Sequence, residues 1–205
     1  MIYQEPTIYT VPNIYAKAGG GGGEPVPDPL LYKVYLGLQI KNGNSLELTG
    51  LNFPIKHTDK IKFDINYTGN STYIEFFTTN GRMFGAQKID ASTLRVYGWG
   101  GNENMGLSIP GWYKCENQQN DFIINGIQKN IGNCLTGSYN LKYLFTNAGD
   151  DDDSVIFDFV VKDENDEVKF KFLPALRISD SKKGMIEIYT NTFVPADNQW
   201  KLLMG

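Results

Sequence analysis

The sequence predicts an all-β fold, a two-sheet antiparallel jelly-roll sandwich, preceded by an extended N-terminal anchor peptide. Segments with an apolar residue at every second position recur beyond residue 30, and this period of two is typical of half-buried strands. Turns rich in Asn and Gly separate the segments at intervals of about 8 to 12 residues, which is typical of sandwiches and barrels. No segment has the periodicity of an amphipathic helix.

The alternation is clearest in two segments, 31–40 and 60–67. Their apolar residues predicted to share one face are Tyr32, Val34, Leu36, Leu38 and Ile40 in the first, and Ile61, Phe63, Ile65 and Tyr67 in the second. We predict further strands at 46–51, 72–78, 82–89, 93–99, 106–109, 121–124, 140–146, 155–162, 167–173 and 184–189. Turns are predicted at 41–44, 68–70, 80–81, 125–126 and 149–150, where the residues tolerate positive φ.

A run of glycines at 19–23, followed by Pro25, Pro27 and Pro29, divides the chain into two unequal parts. Glycine loses more backbone entropy on ordering than any other residue, and closely spaced prolines stiffen the chain into an extended arm. We therefore predict an anchoring peptide at 1–18, a linker at 19–29 and a sandwich domain at 30–205.

The anchoring peptide contains a short repeat, Pro-x-Ile-Tyr, at 6–9 and again at 12–15. Proline blocks a regular helix and central-strand pairing, so the peptide is expected to be extended. Its apolar side chains cannot form a core alone, and tyrosine is a typical interface anchor. We predict that a partner binds this peptide, the alternative being an unattached tail. The predicted contacts are Pro6, Ile8, Tyr9, Pro12, Ile14 and Tyr15.

Composition excludes some partners. The net charge of -4 removes the basic field that nucleic-acid binding requires. No apolar run approaches the length of about 20 residues that spans a bilayer, and the N-terminus lacks the regions of a signal peptide. We expect synthesis in the cytoplasm, no nucleic-acid partner and no membrane insertion.

Cysteine and histidine are too scarce for a disulfide framework or a zinc site. Cys115 and Cys134 are expected to be buried free thiols, the alternative being a bridge between them. His57, the only histidine, is expected in a surface turn. Trp200 is expected to pack the C-terminus onto the domain.

Three segments resemble known domains: 121–126, 138–149 and 172–193. The first two are similar to successive strand-and-turn elements of concanavalin A-like, laminin-G-like jelly-roll domains. The third is similar to the closing segment of such domains in structural proteins of tailed phages. The resemblance implies this fold and a place in the phage particle, while the activity must be argued from a site.

The motifs of catalysis are missing. Concanavalin-like glucanases carry an E-x-D-x-x-E strand with the carboxylate pair that retaining glycosidases need, and this chain has no such strand. The acidic run at 163–167 is expected to be a solvated hairpin turn. Since G-x-S-x-G and H-E-x-x-H are also absent, we predict that the protein is not an enzyme.

One acidic run bears on metal binding. No cofactor is expected, but laminin-G-like domains often bind calcium, so the resemblance implies a calcium site where hard oxygen ligands cluster. The alternative is an exposed acidic turn without metal. The candidate ligands are Asp150, Asp151, Asp152 and Asp153.

Two aromatic pairs in glycine-rich segments are candidates for sugar binding, namely Tyr97 with Trp99 and Trp112 with Tyr113. Sugar recognition needs exposed aromatic faces beside fixed polar groups, and glycine-rich loops can provide both. The same composition suits a subunit interface or the edge of the core, so three interpretations stay open.

Together these features predict a structural protein on the surface of a phage virion, a capsid decoration protein or head fibre. It would be mounted on the capsid or another virion protein through 1–18 and would display a lectin-like sandwich for adhesion to the host or its glycans. A homotrimer is expected, because several weakly bound arms together bind far more strongly than one. The alternative is a free carbohydrate-binding module, or a tail fibre or tail-associated component.

Overall fold

A computed structural model describes residues 25–40, 45–69, 73–79, 82–98, 101–132, 136–147, 153–196 and 200–203. Within these ranges the regular structure is entirely β, and the strands form two antiparallel sheets. The prediction of an all-β, two-sheet antiparallel sandwich is therefore confirmed. The anchoring peptide lies outside the described residues, as does most of the linker.

Eighteen strands are found in the described ranges. In chain order they are β1 (Tyr32–Val34), β2 (Gly37–Gln39), β3 (Leu46–Glu47), β4 (Pro54–Lys56), β5 (Lys60–Tyr67), β6 (Tyr73–Thr79), β7 (Arg82–Asp90), β8 (Thr93–Tyr97), β9 (Asn102–Gly106), β10 (Gly111–Gln118), β11 (Asp121–Ile124), β12 (Ile127–Asn130), β13 (Ser138–Asn147), β14 (Val155–Lys162), β15 (Val168–Arg177), β16 (Lys182–Glu187), β17 (Thr192–Pro195) and β18 (Lys201–Leu203).

The large sheet has the order β12-β11-β10-β5-β14-β15-β16-β17, with β1 added beside β15, β2 added beside β14 and β18 added beside β2. The small sheet has the order β3-β13-β6-β7-β8-β9, with β4 beside β13. In the part of the chain that the structure describes, no helix is long and apolar enough to cross a membrane.

The core lies between the inner faces of the two sheets. The alternation predicted for 60–67 is confirmed, since every second residue of β5 is buried. Phe63 of β5 lies at the centre, where its ring contacts rings from both sheets. The centroid distances are 4.7 Å to Phe76, 5.8 Å to Phe145 and 6.0 Å to Phe159, and tilted, edge-on and stacked aromatic contacts of this kind stabilise a core.

The prediction of one strand over 31–40 is wrong. The segment forms two short strands, because β14 and β15 pair only at one end and then diverge. Beyond that end β1 continues beside β15 and β2 beside β14, so the chain changes partners between them. As a result Leu38 and Ile40 enter the core, whereas Val34 and Leu36 remain 39% and 45% exposed.

The strand β10 was not predicted, although it pairs with the whole length of β5. Its inward residues include Cys115 and Asn117, so the polar chemistry of the segment hid the alternation. The strand predicted at 106–109 is also wrong, because only Gly106 belongs to a strand and 107–110 join β9 to β10. The sequence did not predict β9, apart from Gly106, or the short strands β4, β12, β17 and β18.

Several smaller predictions are confirmed. Trp200 is fully buried, and its carbonyl accepts a hydrogen bond from the Lys183 ammonium at 2.7 Å. Cys115 is a buried free thiol, whereas Cys134 lies outside the described residues. His57 lies in the turn between β4 and β5, half-buried. The acidic run at 163–167 forms the tight turn between β14 and β15.

Candidate ligand-binding surface

The structure does not bring the four predicted sugar-binding aromatics together. Tyr113 points into the core, where it is 2% exposed and its hydroxyl donates to the Ser108 carbonyl at 2.7 Å. Tyr97 lies on the outer face of the small sheet, and its hydroxyl donates to Gln87 at 2.6 Å. Trp112 lies on the outer face of the opposite sheet, and Trp99 lies outside the described residues.

The described residues on either side of Trp99 lie far from Trp112. Gly98 and Gly101, which flank residues 99–100, pack against Ile131 near Asn117 at the end of β10. Trp112 lies near the start of β10, about 17 Å away along the strand. The expectation of a loop position for Trp112 is wrong, because this residue belongs to a regular strand.

Trp112 forms an aromatic surface with Phe157, and we call these two residues the Trp112 platform. Their ring centroids are 4.2 Å apart with an angle of 31° between the planes. Trp112 nevertheless remains 50% exposed. The two residues come from β10 and β14, on either side of β5, so the rings meet above the outer face of that strand. Half of the Trp112 side chain is thus open to solvent on a regular strand of the sheet.

The hairpin that follows β10 holds the platform strand in place. Asn125 donates its side-chain amide to the Trp112 carbonyl at 3.0 Å and accepts from the Lys114 backbone N–H at 2.8 Å. Asn125 and Gly126 have φ values of 51° and 81°, as the predicted hairpin turn requires. The turn chemistry therefore fixes the backbone on which Trp112 stands.

A β-bulge in β14 directs Phe157 toward Trp112. The register shifts between Ile156 and Phe159, so that Phe157 and Asp158 together oppose Asp64 of β5. Bulges commonly redirect side chains next to binding sites. Gly37 of the neighbouring β2 is needed there, because an added Cβ would lie 2.6 Å from Val155 Cγ1 and 3.4 Å from Phe157 Cε1.

Charged groups adjoin the platform. Asp64 lies opposite Lys114 in the register and shares the outer face with Asn66, which lies opposite Trp112. Burial raises the pKa of the Asp64 carboxyl, the negative charge of Asp158 raises it further, and Lys114 lowers it. Two carboxylates therefore lie close to each other beside the aromatic surface, at a cost in desolvation and repulsion.

This arrangement has the parts of a sugar-binding surface. An exposed indole face can stack on the apolar face of a sugar ring, carboxylates accept hydrogen bonds from hydroxyls, and an ammonium donates them. The sequence pointed to Trp112 but missed its companions, Phe157, Asp64 and Asp158. One signal was available, since adjacent apolar residues at 155–157 break the alternation and indicate the bulge.

A second aromatic pair occupies the same outer face, where β1, β15, β16 and β17 lie. The rings of Tyr32 and Phe193 stack with centroids 5.7 Å apart, and the Arg177 guanidinium lies 4.8 Å from the Phe193 centroid. They adjoin a small apolar layer that we call the outer cluster. It comprises Ala175, Ile186 and Ile188, all buried, with Tyr32, Leu173 and Phe193 packed against them.

The predicted calcium ligands are described only in part. Asp153 lies just before β14, and its backbone carbonyl accepts from the Gln39 amide at 3.4 Å. Asp150, Asp151 and Asp152 lie outside the described residues. Among the residues that are described, no group of three or more His, Cys, Asp and Glu side chains could hold a metal ion. The calcium site stays a prediction.

The fold and this surface define a class, a β-sandwich with an open aromatic platform on its larger sheet. No protein-family model matches the chain, and no curated protein or solved structure is significantly similar to it. The resemblance to concanavalin A-like and laminin-G-like phage domains therefore stays a prediction.

Proposed function

We propose that this chain is a non-catalytic structural protein on the surface of a bacteriophage virion, a capsid decoration protein or head fibre. It is mounted on the capsid or another virion protein through residues 1–18, and its sandwich faces outward and binds surface glycans. The observation that carries the binding function is Trp112, half-exposed and in tilted ring contact with Phe157 beside two carboxylates.

The platform supports glycan binding because it is both exposed and rigid. Trp112 stands on a strand paired along its whole length with β5, so little conformational entropy is lost when a ring stacks on it. If Trp112 bound no ligand, its exposed aromatic area would only lower the solubility of the protein. A large exposed aromatic held in a fixed orientation therefore favours recognition over packing.

The mounting function is supported by the organisation of the sequence and by the phage resemblance. The repeated Pro-x-Ile-Tyr element is separated from the sandwich by the glycine run. One short arm holds weakly, because ordering it costs about 1 kcal/mol or more per residue. A homotrimer overcomes this cost, since linked arms can raise the overall avidity about 100-fold or more.

The glycan-binding function is tested by Trp112→Ala on a glycan array. We expect at least a fivefold loss of affinity, about 1 kcal/mol, with the fold intact, because only the stacking surface is removed. Tyr189→Ala is the matched control, since Tyr189 is a similarly exposed aromatic outside the platform. An array without hits for the unchanged protein, or equal binding by Trp112→Ala, would contradict the proposal.

The mounting function is tested by deleting residues 1–23. The shortened chain is expected to fold and remain soluble but to be missing from assembled particles, because the removed residues supply interface and not core. Copy number per particle, measured by quantitative mass spectrometry, decides the question. Normal incorporation would refute the mount. Glycan binding without any association with particles, for the full chain, would indicate a free carbohydrate-binding module instead.

A further inference from the structure

We propose that the apolar surface beside the point where the linker joins the sandwich is an interface between copies of this chain. We define it as Leu30, Leu31 and Ile178 and call it the exit patch. The inference rests on the proposed function, in which the mount gathers several copies. It names the surface through which their sandwiches touch.

Exposed apolar side chains are concentrated at this place. Leu30, Leu31 and Ile178 are 81%, 50% and 47% exposed. The Ile178 backbone N–H donates to the Leu31 carbonyl at 2.9 Å, so two segments that are distant in sequence form one patch. Among the described residues, six of the ten exposed large hydrophobic side chains lie at 26–36 and 178, so their exposure is not scattered. Exposed apolar side chains that are grouped in this way mark an interaction surface.

The last residues of the linker are fixed beside the patch. Pro27 is buried, and the Asp28 side chain accepts from the Leu30 backbone N–H at 2.9 Å. The Asp28 carbonyl also accepts from the Tyr32 backbone N–H at 2.9 Å, which closes a turn just before β1. The end of the sandwich that leads to the arm is therefore the end that carries the exit patch.

This position favours a second copy of the chain as the occupant. When several arms bind neighbouring points of a mount, the ends of the sandwiches that join those arms come closest together. Identical copies in a closed assembly meet through the same regions of the chain, and each copy has the same patch. Residues 19–24 span up to about 20 Å when extended, which is long enough for the sandwich to stand clear of the mount.

The charges around the patch permit self-association. Arg177 and Asp180 flank Ile178 and pair with each other at 2.7 Å, so two copies do not meet through unbalanced like charges. Three side chains supply far less than the roughly 800 Å² that each partner of a stable interface buries, so the contact is weak. Tethering makes a weak contact sufficient, because copies on short flexible linkers have an effective concentration of about 1 mM.

The test is sedimentation velocity of the full chain at concentrations up to about 1 mM, which match the tethered state. The unchanged protein is expected to associate reversibly over this range. Ile178→Asp is expected to weaken association at least about fivefold, because the interface would then bury a carboxylate. Leu31→Asp should have the same effect, whereas Ile178→Leu keeps the apolar area and should associate like the unchanged protein.

Ile127→Asp is the matched control. Ile127 is 44% exposed in β12, at the edge of the large sheet far from β15 and β16, so the same change is made at a similar exposure away from the patch. A protein that is monomeric at about 1 mM, or equal weakening by Ile178→Asp and Ile127→Asp, would overturn the inference.

Particle assembly distinguishes the other occupant. If Ile178→Asp leaves self-association unchanged but is missing from particles, the patch contacts the mount and the inference is overturned. The glycan array and the incorporation of the unchanged protein test the proposed function separately. A monomer that enters particles and binds glycans therefore overturns this inference alone.

Discussion

The outer face of the large sheet carries two aromatic pairs, one that packs against a buried layer and one that stays open to solvent. The ring centroids of Tyr32 and Phe193 are 5.7 Å apart in a stacked arrangement, with the Arg177 guanidinium over Phe193. Those of Trp112 and Phe157 are 4.2 Å apart, and the rings are tilted. A glycine adjoins each pair and gives the rings room, Gly184 beside Phe193 and Gly37 beside Phe157. The first pair packs against a buried apolar layer, whereas half of Trp112 is exposed.

The difference lies in the surrounding charges. Arg177 is held over its ring by two hydrogen bonds to Asp180, at 2.7 and 3.0 Å, so the cation that covers the first pair is already paired. Beside the second pair lie two mutually repelling carboxylates. The cation of the first pair is bound to its own carboxylate and completes a structural cluster, whereas the Trp112 platform has carboxylates beside it and keeps half of the indole in solvent.

The largest effect is expected from truncating the covered pair. Phe193→Ala should lower the free energy of unfolding by about 2 to 3 kcal/mol, because it opens the outer cluster and exposes Ile186. Trp112→Ala should lower it by less than about 1 kcal/mol, since half of that side chain already contacts water. Urea denaturation measures both values.

Phe193→Leu keeps the apolar bulk but loses the ring beneath Arg177. Its effect on the free energy of unfolding should therefore lie between those of Phe193→Ala and Trp112→Ala. The comparison fails if truncation of Trp112 costs as much as truncation of Phe193. In that case both pairs are structural.

The smallest expected changes in stability come from two aspartates, and the two changes have opposite signs. The pKa of Asp64 is raised, so the folded state binds more protons than the unfolded state just above the ordinary pKa of 3.8, and stability falls as the pH rises through that window. Asp64→Asn should therefore stabilise the protein at pH 7, by less than about 1 kcal/mol after solvent screening.

Asp180 behaves in the opposite way. Its hydrogen bond with Arg177 lowers its pKa from 3.8 to about 2, so its contribution is present above pH 3.8 and is lost as the pH falls toward 2. Asp180→Asn should destabilise the protein at pH 7 and lose that effect in acid. Thermal unfolding of the Asp64→Asn and Asp180→Asn variants, measured from pH 7 down to pH 2, checks both predictions. If Asp64→Asn destabilises the protein at pH 7, the Asp64 carboxylate is structural and the argument that it is kept for binding fails.

Much of the local structure could be predicted from the sequence. The alternation over 60–67 identified β5 to the residue, and Asn125 with Gly126 identified a hairpin turn, because each depends on chemistry within a few neighbouring residues. The all-β class followed from the repetition of such signals. Trp112 was recognised as a candidate, although its strand was missed.

The tertiary structure determined which strands pair and which side chains lie next to each other. The segment 31–40 alternates like one strand, yet the divergence of β14 and β15, far along the chain, splits it in two. The partnership of Trp112 with Phe157 and Asp64 likewise joins three separate strands through a bulge and the close approach at Gly37. Periodicity and turn propensity are properties of short segments, and so the sequence by itself determined the strands and turns of this protein. Sheet order, register and the convergence of side chains depend on long-range packing, and so only the folded chain could assemble the platform.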